Sequence, residues 1–97
     1  LIASKVTDEG LVHLKKCTHL NYLNLDSTAI KGSGLAHLIE LPELMTLHVS
    51  FTDTTDAALP SLLQMPRLGY VNLNGTFITD AGLKSAPSLK ATRGSRV

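Results

Sequence analysis

Apolar and polar residues alternate over short stretches that recur along the chain. Leu23 and Leu25 interleave with Tyr22, Asn24 and Asp26; Leu47 and Val49 with Thr46, His48 and Ser50; Val71 and Leu73 with Tyr70, Asn72 and Asn74. A period of two is that of a strand with one buried and one open face. Downstream the period changes. In residues 34–41, Leu35, Leu38 and Leu41 (or Ile39) fall on one side of a helix. Asp8, Asp56 and Asp80 share one place in the pattern and suit a helix start, where a carboxylate accepts from free backbone N–H groups. Gly32 takes that place in the unit between, so the helix there is expected to begin less firmly. Pro42 and Pro66 follow the helical stretches and stop them.

The spacing of these blocks is 24 residues. Leu20, Leu44 and Leu68 keep it, as do Leu23, Leu47 and Val71; Leu25, Val49 and Leu73; Thr28, Thr52 and Thr76; and Leu35, Leu59 and Leu83. Leu1, Ser4, Val6, Gly10, Leu11, Leu14, Cys17 and Leu20 extend it backwards. The array is therefore divided into a partial unit 1–19 and units 20–43, 44–67 and 68–88. Residues 89–97 form a decayed terminal repeat, with Thr92 and Gly94 where Leu is due. A fixed period of this length implies stacked units, each burying its apolar side against the next. Strands one unit apart pair in parallel, and the return path crosses over outside the sheet.

Each unit reads L-x-x-L-x-L-x-x-T-x-I-x-x-x-G-L-x-x-L-x-x-L-P-x. This resembles the leucine-rich repeat signature, and the resemblance covers roughly residues 1–89. The stretches Val6-Thr7-Asp8-Glu9-Gly10-Leu11 and Ile78-Thr79-Asp80-Ala81-Gly82-Leu83 look like the cysteine-containing subclass, found in substrate adaptors of ubiquitin ligases. Thr28, Thr52 and Thr76 depart from it by replacing the usual Asn or Cys. The resemblance implies a right-handed α/β solenoid with a parallel inner sheet and outer helices. It further implies a protein partner on the concave strand face.

On that face the outward positions stack in three columns: Tyr22/Thr46/Tyr70, Asn24/His48/Asn72 and Asp26/Ser50/Asn74. These nine residues are the candidate partner-binding set. Tyr supplies contact area at low entropy cost, which suits such a surface. The Thr hydroxyls at 28, 52 and 76 are expected to bond turn backbone, a structural role. Cys17 aligns with Leu41 and Met65 and is expected to be a small buried hydrophobe. Phe51 and Phe77 fall at the rim of the strand-to-helix turns.

Composition narrows the function classes. The net charge is +1, but residues 1–83 carry −3 and residues 84–97 carry +4 through Lys84, Lys90, Arg93 and Arg96. Four dispersed cations without interleaved aromatics argue for a solvated basic tail and against nucleic-acid binding. No apolar run reaches the ~18 residues of a membrane span, and Leu1-Ile2-Ala3-Ser4-Lys5 lacks the features of a signal peptide. One Cys forms no internal disulfide and fits either redox compartment, so no localisation is assigned.

No metal or cofactor is expected. His13 and His37 share a column, but Ser61 and Ser85 follow where further ligands would be needed. Gly10, Gly34 and Gly82 lack phosphate-loop spacing. His48 with Asp26 and Ser50 superficially suggests a triad, yet an open strand face offers no enclosed pocket or oxyanion hole. The expectation is a non-catalytic protein-interaction module. The alternative is a structural spacer or cap within a longer multidomain repeat protein. Uncapped repeat ends also leave end-to-end self-association open as a mode of partnering.

Overall fold

The computed structural model describes residues 5–84 and 91–92. Leu1 to Ser4, residues 85–90 and residues 93–97 lie outside them, including Lys90, Arg93 and Arg96 of the basic tail and residues 85–88 of the last unit. Three short strands, β1 (Tyr22–Asn24), β2 (Thr46–His48) and β3 (Tyr70–Asn72), run parallel in chain order. Their register keeps the 24-residue period: Leu23 faces Leu47, which faces Val71. A two-residue strand, β4 (Ala91–Thr92), joins β3. It pairs Ala91 with Val71 and Thr92 with Asn72, so Ala91, not Thr92, takes the register of the apolar strand position. The terminal segment is one residue shorter in register than its Leu89–Leu68 alignment implies.

The return paths are helical but mostly not α-helical. They comprise 3-10 segments at Glu9–Lys16, Ser33–Leu38 and Asp56–Ala58, and two five-residue helices, α1 (Leu59–Leu63) and α2 (Asp80–Lys84). A 3-10 segment rises ~2.0 Å per residue against ~1.5 Å for an α-helix, so it covers the return distance with fewer residues. Pro60 sits in the first turn of α1, where its missing N–H costs nothing.

Helices and strands enclose one core. Leu23, Leu25, Leu47, Val49, Val71 and Leu73 from the strand regions are fully buried with Ile30, Leu35, Leu38, Leu41 and Leu44. Each buried Leu contributes roughly 1.5–3 kcal/mol relative to exposure. Val6, Leu14 and Leu20 at the first turn, and Leu68 and Leu83 in the last unit, pack on this core only partly buried. Cys17 is exposed, contrary to the alignment that makes it a buried hydrophobe. Its counterparts Leu41 and Met65 lie between two neighbouring turns, whereas Cys17 closes the 3-10 segment of the edge turn.

The turn after each strand is built the same way three times. Thr28, Thr52 and Thr76 are buried, and their hydroxyls donate to the carbonyls of Leu25, Val49 and Leu73 at 2.8, 2.7 and 2.7 Å. The residue before each Thr is left-handed: Ser27 at φ 59°, Phe51 at φ 55° and Gly75 at φ 69°. Only the last is glycine, so the first two carry backbone strain.

Asp8 and Asp56 act across units, not on their own helix starts. Asp8 makes no cap bond to its own 3-10 segment. Its carboxylate accepts the N–H groups of Lys31 (2.7 Å), Gly32 (3.2 Å) and Gly34 (2.9 Å) in the next turn. Asp56 accepts the Thr79 N–H at 2.8 Å and its hydroxyl at 2.6 Å. The close approach of successive turns here requires a small residue 26 positions later, against the Asp8 backbone in one case and the Asp56 carboxylate in the other. A Cβ on Gly34 would lie 2.5 Å from the Asp8 carbonyl oxygen, and one on Gly82 would meet the Asp56 carboxylate. Where Gly32 stands in place of the aspartate, Ala58 stands in place of the glycine. A Cβ added to Gly32 would come within 3.0 Å of the Ala58 methyl.

Candidate interaction face

Helical segments cover one side of the sheet, and the alternate strand residues form the other. Tyr22, Thr46 and Tyr70 are neighbours in register, as are Asn24, His48 and Asn72. All six are half-buried or exposed. The first two columns therefore stand where the alternation puts them.

The third column differs. Ser50 is only 4% exposed, which removes it from the open face. Asp26 is half-buried, and its carboxylate accepts the Ser50 backbone N–H at 2.6 Å. Past the strand the chain is already turning, so strict alternation fails there. Asn74 is half-buried and takes part in the equivalent turn. Asp26 meets Ser50 through its backbone amide rather than its hydroxyl.

The aromatic residues connect across columns. The His48 ring lies between Tyr22, at a centroid distance of 5.3 Å and 49° between planes, and Tyr70, at 5.9 Å and 61°. Tilted and edge arrangements of this kind are the favoured ones for ring pairs. A bent strip of three rings thus crosses β1, β2 and β3, stepping out to His48 and back to the tyrosine column. Columns drawn at 24 residues miss it, because its steps are the diagonal neighbours of a sheet. The signal was present as Tyr22 to His48 and His48 to Tyr70, one column over in each case.

The asparagines flanking the strip have defined orientations. Asn24 Oδ1 accepts the Asp26 N–H at 2.8 Å, and Asn72 Oδ1 accepts the Asn74 N–H at 3.0 Å. A backbone N–H can only be met by the oxygen end, so each side-chain NH2 is left at the open face as a donor.

Elsewhere the polar side chains are structural or dispersed. A cavity of about 410 Å³ is lined by Thr7, Asp8, Glu9, Ala29, Lys31 and Ser33, none of them on the strand face. It adjoins the Asp8 carboxylate, which already holds three backbone groups. His13 is exposed and His37 half-buried. Among the described residues no three His, Cys, Asp or Glu side chains are grouped to hold a metal ion, and no helix is long and apolar enough to cross a membrane. Phe51 and Phe77 are exposed at the rim, at 60% and 52%. No protein-family model matches the chain, and no curated protein is significantly similar to it.

Proposed function

We propose that this chain is a segment of a right-handed leucine-rich repeat solenoid and serves as a non-catalytic protein-interaction module. The open strand face is its binding surface. The observation that carries this reading is the Tyr22–His48–Tyr70 strip, three partly exposed rings across three strands with His48 packed against both tyrosines. Rings held against one another lose little further freedom on binding and offer a large contact area. Thr46, Asn24 and Asn72 surround them with polar groups, the composition of an interface centre with a polar rim. The 24-residue register and the unit-to-unit aspartate bonds support the solenoid reading.

The test replaces Tyr22, His48 and Tyr70 by Ala together. Proteins retained by the wild-type chain and the triple variant are compared quantitatively, with far-UV circular dichroism and urea unfolding checking the fold. Specific partners lost by a folded variant support the module. Identical retention favours the second reading, a spacer or cap in a longer repeat protein. The partly buried Val6, Leu14 and Leu20 at the edge of the stack favour that alternative. They also make end-to-end pairing of two chains a contact that sedimentation velocity would detect.

A further inference from the structure

We infer that the partner segment is a proline-rich peptide in the polyproline II conformation, lying across the strands along the Tyr22–His48–Tyr70 strip. This rests on the interaction-face reading and names the chemistry of its ligand. Two observations carry it.

The first is the match of hydrogen-bonding character. With their oxygens spent on the Asp26 and Asn74 N–H groups, Asn24 and Asn72 present NH2 donors to whatever docks. A polyproline II segment has the complementary character. It makes no internal hydrogen bonds, its carbonyls all need donors, and each proline lacks an N–H. A helical ligand has already satisfied its carbonyls, and an extended strand brings as many donors as acceptors.

The second is spacing. Tyr22 and Tyr70 are two strands apart, about 9.5 Å at ~4.7–4.9 Å per strand. One turn of polyproline II is three residues at ~3.1 Å, about 9.3 Å. Prolines at i and i+3 therefore sit over Tyr22 and Tyr70, with His48 beneath the turn between them. Pyrrolidine rings on aromatic side chains are the usual contacts of such segments. An extended ligand places i and i+3 on opposite faces and breaks the match.

The experiment titrates the isotopically labelled full chain with a blocked nonaproline peptide, followed by 1H–15N correlation spectra. Gly-Ser and Ala-rich helical peptides of equal length serve as comparators. The expected result is saturable shifts at the Asn24 and Asn72 side-chain NH2 groups and at the backbone amides of Tyr22, His48 and Tyr70, with neither comparator reproducing them. The double substitution Asn24→Asp with Asn72→Asp keeps an oxygen for each turn bond and removes both donors. It is expected to weaken nonaproline binding about tenfold or more. If that pair fails to fold, Asn72→Asp alone is used, with a proportionately smaller loss.

Absence of saturable nonaproline shifts overturns the inference. So does equal binding by either comparator, or undiminished binding by a folded Asp variant. If nonaproline is silent while the triple Ala variant still loses specific partners, the ligand assignment falls and the interaction face stands. If the triple variant loses nothing, the face itself falls.

Discussion

The junction between the first two turns and the junction between the next two solve one problem in opposite ways. In the first, Asp8 reaches forward to three backbone N–H groups, and Gly34 leaves room for it. In the second, Gly32 offers no carboxylate, and Ala58 fills the space with a methyl group. The third junction, Asp56 on Thr79 beside Gly82, returns to the first solution. A junction thus takes either a charged latch with a glycine seat or a plain van der Waals contact. Mixing the two halves produces a clash or a void.

The largest effect is expected where neither side can yield. Gly34→Ala drives a Cβ to 2.5 Å from the Asp8 carbonyl oxygen and 2.6 Å from its Cα, both backbone atoms. We expect a loss of about 3 kcal/mol, read from the urea midpoint at unchanged slope. Gly82→Ala meets only a movable carboxylate and should cost about 1 kcal/mol in the same assay.

Next comes the attempt to convert the second junction into the first. Gly32→Asp places a side chain at φ 106° against Ala58 and Thr54, with an expected loss of about 2 kcal/mol. Adding Ala58→Gly removes the steric part and should recover about half of it. A double-mutant cycle with no coupling between positions 32 and 58 would break the pairing of latch and seat.

Asp8→Ala deletes the latch but leaves its seat. Three part-exposed N–H groups then turn to water, for an expected loss of roughly 1–2 kcal/mol. Hydrogen exchange should quicken at Lys31 and Gly34 while the Leu25 amide, bonded to His48, keeps its protection. Equal loss of protection at both would mean that the latch holds the whole stack rather than one junction. The smallest change should be a gain: Ser27→Gly relieves a left-handed serine and is expected to add roughly 0.5–1 kcal/mol, visible as a higher thermal midpoint. Phe51→Gly should not repeat that gain, because its ring lies over Gly75, where a Cβ would be 2.5 Å away.

The strand registers were legible because they depend on period alone. Leu23, Leu47 and Val71 are 24 residues apart in the chain and opposite one another in the sheet. The Thr hydroxyl bonds were legible for the same reason, a short-range contact repeated at one position. The capping reading puts Asp8 and Asp56 at the right place and gives them the wrong target. An Asp at a helix start has a local capping reading, while the N–H groups that donate to Asp8 lie 23–26 residues ahead. Left-handed geometry has a glycine to mark it at Gly32 and Gly75, whereas Ser27 and Phe51 bear no mark of it. On the candidate face two of the three columns follow from alternation. Ser50 does not, because the turn rotates it inward. The ring strip steps from the tyrosine column to His48 and back, so a column-by-column reading keeps Tyr22 with Tyr70 and sets His48 apart.

The pairing of Asp8 with Gly34 and of Gly32 with Ala58 also sets a grammar for rearranging the chain. A duplicated or transplanted unit must suit its successor as well as its own fold. The unit bearing Gly32 can precede either kind of neighbour, leaving at worst a small gap before a glycine. A unit bearing Asp8 or Asp56 is best followed by one with glycine 26 positions later, the place of Gly34 and Gly82. Recombination within such an array is therefore directional: of two orders of the same units, the one that sets an aspartate against an alanine is the less stable.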